Sequence, residues 1–165
     1  MKQTVKWLAA ALIALGLNQA VWADDVSDFR ENLQAAAQGN AAAQHNLGVM
    51  YENGEGVRQD DAEAVRWYRQ AAAQGLVQAQ TNLGLMYANG RGVRQDDAEA
   101  VRWYRQAAAQ GVVQAQYNLG LMYAKGRGVR QDNAEAIKWY RQAAAQGLVQ
   151  AQYNLGDMYN QGRGV

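Results

Sequence analysis

The chain of 165 residues contains no cysteine and no proline, and it has one phenylalanine and a single histidine, His45. Without cysteine, disulfides and thiolate catalysis are excluded, so the stability of the fold must come from packing. Without proline, no helix is interrupted by a missing amide donor. Ser27 is the only serine, so Ser–His and Cys–His pairs for nucleophilic catalysis have almost no material. The sequence therefore predicts a protein that is not an enzyme.

An excess of charge of one sign is also absent. The sequence has 16 basic and 15 acidic residues, and the two signs are interspersed. This balance gives no electrostatic reason to bind nucleic acid or an anionic membrane. The acidic groups near residues 60, 96 and 132 lack the alternating aspartates of a calcium loop. Their place before helical segments favours helix capping, so no metal or cofactor is predicted.

The longest apolar run lies close to the N-terminus. Two lysines precede the 11-residue run Trp7–Leu17, and small residues lead up to Ala23. These features are typical of a secretory signal peptide, and the run is too short to span a bilayer. The sequence therefore predicts a signal peptide at residues 1–23, cleavage after Ala23, and an exported mature chain, periplasmic or secreted, of residues 24–165.

A repeat of 36 residues occupies the rest of the chain. Residues 57–75 recur without change at residues 93–111. A fixed period of this length marks a solenoid, in which each unit buries its apolar face by stacking on its neighbours. The predicted organisation is a degenerate half-repeat, three full repeats and a partial repeat, at residues 24–39, 40–75, 76–111, 112–147 and 148–165.

Each repeat is predicted to form two antiparallel helices. In the first full repeat, Ala43 and Leu47 lie on one apolar helix stripe, and Gly54 provides a left-handed end to that helix. Asp60 stands three residues before Glu63, which is the spacing of a capping box at the start of the second helix. The second helix has a broad apolar arc that suits contact with its partner and with the next repeat. The predicted fold is an all-α solenoid.

The segment 79–111 carries a Leu-Gly pair, a Gly-x-Gly-Val loop, an Ala-x-x-Trp-Tyr motif and a closing glycine. In these features it resembles the Sel-one-like repeat, or SLR, and the pattern covers essentially all of residues 24–165. The tetratricopeptide unit of about 34 residues lacks the Gly-x-Gly-Val loop. The resemblance implies a right-handed superhelical scaffold that binds other proteins. Some bacterial relatives are rich in cysteine and were named as β-lactamases, so a cell-wall or β-lactam hydrolase is the alternative function.

Candidate binding residues emerge when the repeats are compared with one another. The first two full repeats differ at seven positions, all in the first helix or its exit loop. Positions 45, 49 and 52 and their equivalents share one helix face, so a single stripe varies while the packing residues stay constant. Aromatic and aliphatic side chains there suit a peptide or a partner helix on the concave face. The candidate residues are His45, Thr81, Leu85, Tyr117, Leu121, Tyr153 and Asp157.

Several alternatives stay open. Part of the stripe is core if the next repeat covers it, and the same aromatic column also suits a peptidoglycan or glycan. The arginines at 58, 94 and 130 form either a solvated face or a site for an acidic peptide. Residues 148–160 predict a last first-type helix with no second helix after it. We therefore also expect self-association through this uncapped C-terminal end, because exposed apolar patches mark interaction sites.

Overall fold

The computed structural model describes residues 23–164, and these residues form helices joined by short loops, with no strand among them. The first helix, α1, covers residues 23–37 of the described chain. The later helices recur every 36 residues: α2 Ala41–Asn53, α3 Asp61–Ala73, α4 Val77–Asn89, α5 Asp97–Ala109, α6 Val113–Lys125, α7 Asn133–Ala145 and α8 Val149–Asn160. The predicted all-α repeat architecture is confirmed.

The helices are stacked in chain order. From α2 to α8, each helix packs on its neighbours along the chain. The even-numbered helices are the first helices of the repeats, and the odd-numbered ones are the second helices. Within residues 23–164, no helix is both long enough and apolar enough to cross a membrane. The predicted signal peptide lies outside the described residues, apart from Ala23.

A tyrosine of each second helix packs on a glycine of the first helix in the same repeat. Tyr104 is only 2 % exposed, and a Cβ atom at Gly84 would lie 2.6 Å from its ring. Because a close-packed core cannot absorb such an overlap, only glycine leaves room for the ring. The same pairing joins Tyr68 to Gly48 and Tyr140 to Gly120. The Leu-Gly pair of the repeat is therefore a packing requirement.

The second helices begin at a side-chain cap. The carboxylate of Asp60 accepts hydrogen bonds from the backbone N–H groups of Ala62 and Glu63. Glu63 does not complete a capping box, because its carboxylate pairs with Arg66. The N–H of Asp60 instead donates to the carbonyl of Tyr51 at 2.9 Å. Half of the predicted capping box forms, and the other half is replaced by a bond to the preceding helix.

Buried glutamines connect one repeat to the next. Gln80 is buried and donates to the carbonyl of Ala72, while its own side-chain carbonyl accepts from Gln110 at 3.2 Å. Gln44 and Gln116 donate in the same way to the carbonyls of Ala36 and Ala108 in the preceding repeat. Each of them also accepts a hydrogen bond from a glutamine at the end of its own repeat, Gln74 or Gln146. Since a buried polar group is costly unless it is hydrogen-bonded, this ladder favours one stacking register.

Candidate binding surface

The variable stripe lies where successive first helices meet. His45 Nε2 on α2 lies 3.2 Å from Asn82 Nδ2 on α4. Two repeats further on, Asn154 on α8 donates to the hydroxyl of Tyr117 on α6 at 3.4 Å. We call the surface formed by α2, α4, α6 and α8 the first-helix face. Its stripe therefore contributes both to packing between repeats and to the exposed surface.

The candidate residues differ widely in exposure. Thr81 is only 7 % exposed, and its hydroxyl donates to the carbonyl of Val77 at 2.9 Å, so it presents little surface to a partner. Tyr153 is 75 % exposed and Leu85 is 37 % exposed. The remaining members are half-buried, namely His45, Tyr117, Leu121 and Asp157. Burial lowers the pKa of His45, which favours its neutral form.

Two cavities bring most of the candidates together. The first, of about 160 Å³, lies between α4 and α6 and is flanked by Leu85 and Leu121. The second, of about 310 Å³, lies between α6 and α8 and contains Tyr117, Leu121 and Asp157. His45, Thr81 and Tyr153 line neither of them. The geometry thus groups four of the seven candidates around two adjoining hollows.

The cavity between α4 and α6 also contains side chains that the sequence analysis did not select. Its lining includes Tyr104 from α5, Asn118 and Lys125 from α6, and Arg127 from the loop after α6. Burial raises the pKa of Tyr104 above the ordinary value of a phenol, so its hydroxyl remains a neutral hydrogen-bond donor at physiological pH. The cavity therefore combines an apolar rim with polar donors.

An ion pair places Arg127 at this cavity. The Gly-Arg-Gly loop brings its guanidinium against Asp97 of the preceding repeat, with N–O distances of 2.7 and 3.0 Å. Arg127 holds the pKa of Asp97 below its ordinary value through these hydrogen bonds. Arg91 pairs with Asp61 in the same way one repeat earlier. The Gly-Arg-Gly loops of these two repeats thus place an arginine side chain at the first-helix face.

The first-helix face combines several kinds of side chain. Hydrogen-bond donors, cations and apolar side chains converge there, which is the composition of an interface. Among residues 23–164, no group of three histidine or acidic side chains is arranged to hold a metal ion. The first-helix face can therefore recognise a ligand by shape, by apolar contact and by hydrogen bonding to an acceptor.

The periodic Gly-x-Gly loop, the tyrosine on glycine and the 36-residue spacing together define one repeat type. The family model of the Sel1 repeat matches residues 41–76, 77–112, 113–148 and 149–165. The chain belongs to the Sel1 repeat family. The resemblance to Sel-one-like repeats is thereby confirmed. Sel1 repeat proteins are in general scaffolds for protein–protein interaction and are in general not catalytic.

Solved structures show the same Sel1 repeat fold. One is the crystal structure of c5321, a protective antigen present in uropathogenic Escherichia coli strains, with 50 % identity and a TM-score of 0.80. The match covers 81 % of this chain and 29 % of that one. A Sel1 repeat protein from Oxalobacter formigenes has 38 % identity and a TM-score of 0.81, over 94 % of this chain and 63 % of that one. The chain thus spans less than two thirds of the length of either protein.

A more distant structure shows the fold alone. Cysteine rich protein B (hcpB) of Helicobacter pylori has 18 % identity and a TM-score of 0.63, over 79 % of this chain and 96 % of that one. No curated protein matches the chain. The relation to cysteine-rich proteins is therefore one of architecture, and the hydrolase alternative gains no support from it.

Proposed function

We propose that this Sel1 repeat protein is a non-catalytic adaptor that is exported to the periplasm or beyond and binds a protein or peptide through its first-helix face. The observation that carries the proposal is the position of the variable residues. Leu85, Tyr117 and Leu121 border cavities between first helices, while the packing positions below them are constant. A constant frame with a varied surface is what a binding scaffold requires.

Export is proposed on the pattern of the first residues. Two lysines, an apolar run and small residues before Ala23 together form a signal-peptide pattern. The Escherichia coli relative is a protective antigen present in uropathogenic strains, which agrees with an exported protein. N-terminal sequencing of the protein from the envelope fraction should begin at Asp24. Recovery of the mature protein with residues 1–23 still attached would contradict export by this route.

Site-specific photo-crosslinking tests the binding face. A crosslinking amino acid at Leu121 should capture a partner of defined mass from the envelope fraction. The matched control places the same group at Arg102, which is exposed on the second helix α5. The first position should give the adduct, and the second should not. Equal capture at both positions, or capture only at Arg102, would place the partner on another surface.

The predicted self-association concerns a different part of the surface. On α8, Val149 and Tyr153 are 70 % and 75 % exposed, because no described helix packs over them. Exposed apolar side chains of this size are compatible with a contact between copies. Self-association through this end stays a prediction, and sedimentation over a range of protein concentrations checks it.

A further inference from the structure

At the junction of the first and second full repeats, a carboxylate of the chain itself lies among the donors of the first-helix face. Glu52 accepts a hydrogen bond from the hydroxyl of Tyr68 at 2.7 Å. Its other oxygen accepts from Nη1 of Arg91, also at 2.7 Å. Arg91 is fixed in place by Asp61 of the first repeat. The junction thus binds a carboxylate through a phenol and a guanidinium.

The next junction keeps the donors and lacks the carboxylate. Ala88 stands where the first repeat has Glu52, while Tyr104 and Arg127 stand at the positions of the phenol and the guanidinium. Arg127 is held by Asp97, and its hydrogen bonds to described residues involve Nε and Nη2. Nη1 of Arg127 is the equivalent of the Arg91 nitrogen that binds Glu52 at the first junction. It therefore has no hydrogen-bond partner among the described residues.

A buried amide adds a further donor at the second junction. Asn118 is 9 % exposed, and its Nδ2 atom has no hydrogen-bond partner among the described residues. At the first junction, the equivalent Asn82 has Nδ2 within 3.2 Å of the His45 ring. Thr81 replaces that histidine and turns its hydroxyl to Val77. Since an unpaired buried amide costs free energy, a ligand that supplies an acceptor there is favoured.

The space that these replacements leave is the cavity of about 160 Å³ between α4 and α6. Two cationic side chains, Lys125 and Arg127, line it together with Tyr104 and Asn118, and its lining includes no carboxylate. Leu85 and Met122 supply apolar wall for a short aliphatic stem. The larger cavity between α6 and α8 differs, because its lining already includes a carboxylate of the chain.

We propose that the cavity between α4 and α6 binds the side-chain carboxylate of a glutamate in a partner peptide, in the place that Glu52 occupies at the first junction. The carboxylate would accept from the hydroxyl of Tyr104, from Nη1 of Arg127 and from Nδ2 of Asn118. Charge-assisted hydrogen bonds of this kind are the strong ones. The inference deepens the proposed function and rests on it for the peptide, whereas the cavity itself is testable alone.

Titration with blocked amino acids tests the cavity directly. N-acetylglutamate amide is added to the isotope-labelled protein, and the side-chain amide signals of Asn118 and the Nε–H signal of Arg127 are followed by NMR. Both should shift to saturation. N-acetylglutamine amide, which has the same shape and no charge, should bind at least about tenfold more weakly, as expected for loss of a charge-assisted contact. Equal affinity for the two would overturn the proposal.

Two reciprocal variants and one uncharged control make the test specific to this cavity. Ala88→Glu should supply the carboxylate internally and abolish the response of Asn118 to the glutamate probe, whereas Ala88→Gln should leave a weaker response. Glu52→Ala should create a new response at Asn82. A response in Ala88→Glu equal to that of the parent protein would place the probe elsewhere and overturn the proposal.

The source of the carboxylate and the role of the face are separable by two further measurements. N-acetylalanine carries only a chain-terminal carboxylate, and tighter binding of this probe than of the glutamate probe would overturn the side-chain assignment. If crosslinking at Leu121 fails while the titration succeeds, the adaptor function falls and the cavity stands. If the titration fails while crosslinking succeeds, the carboxylate pocket falls and the adaptor function stands.

Discussion

The first and second junctions of the solenoid share one backbone arrangement and differ in what fills it. At the first, Glu52 joins Tyr68 to Arg91. At the second, Ala88 stands in place of the glutamate, and a cavity lined by Tyr104 lies where the carboxylate would be. The comparison shows how a repeat protein separates two tasks, because the frame that holds the helices together is constant while single side chains open or close the surface.

Both junctions contain a buried tyrosine, Tyr68 at the first and Tyr104 at the second. Removal of such a side chain should have the largest effect. Tyr104→Ala should lower the free energy of unfolding by about 3–5 kcal/mol, as truncation of large buried aromatic side chains does. Chemical denaturation followed by circular dichroism measures this. Tyr104→Phe is the control, because it keeps the ring against Gly84. A loss below about 1 kcal/mol for the alanine variant would mean that Tyr104 is not part of the core.

Alkaline pH should weaken all three junctions together. Burial raises the pKa of Tyr68, Tyr104 and Tyr140 in the folded protein, the last to about 12, whereas an unfolded tyrosine titrates near 10. Their contribution is therefore fully present below pH 10 and is lost as the pH rises from 10 toward the folded pKa. The loss should be about 1.4 kcal/mol per pH unit for each tyrosine.

Denaturation at pH 8 and pH 11 measures this dependence, and Tyr140→Phe provides the control. That variant should lose about 1.4 kcal/mol less than the parent protein between the two pH values. An unchanged dependence in the variant would show that Tyr140 is ionised as readily in the folded protein as in the unfolded chain.

Serine replacements of two equivalent tyrosines, Tyr117 and Tyr153, should differ in their cost to stability, because one side chain packs between helices and the other is exposed. Tyr117 is half-buried, and its ring centroid lies 5.9 Å from that of Tyr140. Its hydroxyl accepts a hydrogen bond from Asn154. Its replacement should cost about 1–3 kcal/mol. Tyr153 is 75 % exposed, so its replacement should change the stability by less than about 0.5 kcal/mol. Equal costs in thermal or chemical unfolding would contradict the assignment of Tyr153 to the exposed end.

Two phenylalanine replacements distinguish the two junctions most directly. Tyr68→Phe removes the hydrogen bond to Glu52 and should cost about 1–2 kcal/mol, because a part-buried carboxylate loses a donor. Tyr104→Phe removes a hydroxyl that faces the cavity and should cost less than about 0.5 kcal/mol. Paired denaturation curves decide the matter. Equal costs for the two variants would mean that Ala88 has not opened the second junction.

Much of the architecture could be predicted from the sequence, because the repeat makes each local signal recur. The apolar stripe of Ala43 and Leu47 and the helix end at Gly54 are local features, and both are found in the structure. The capping box was predicted in full and forms only in part. Its second half depends on whether Glu63 bonds to the backbone or to Arg66, and the spacing alone does not decide that.

The candidate surface was predicted less completely. The comparison of repeats found the stripe that contains Leu85 and Leu121, since variation in an otherwise constant frame is visible in the sequence. It missed Arg127 and Asn118, which line the same cavity. The change from Glu52 to Ala88 was visible among the seven differences. Its consequence was not visible in the sequence. A side chain and its partner in the next repeat are about 30 or more residues apart along the chain, and only the stacking of the repeats brings them into contact.

The sequence by itself determined the repeat, the helix pairs and the set of positions that vary, because these depend on period, helix geometry and local capping. Only the tertiary structure decided which varying positions are surface. Thr81 is buried and Tyr153 is exposed although they are equivalent in the repeat. The reason is physical: the next repeat covers one of them, while no described helix packs over the other. Burial in a solenoid therefore depends on the neighbouring repeat as well as on the residue.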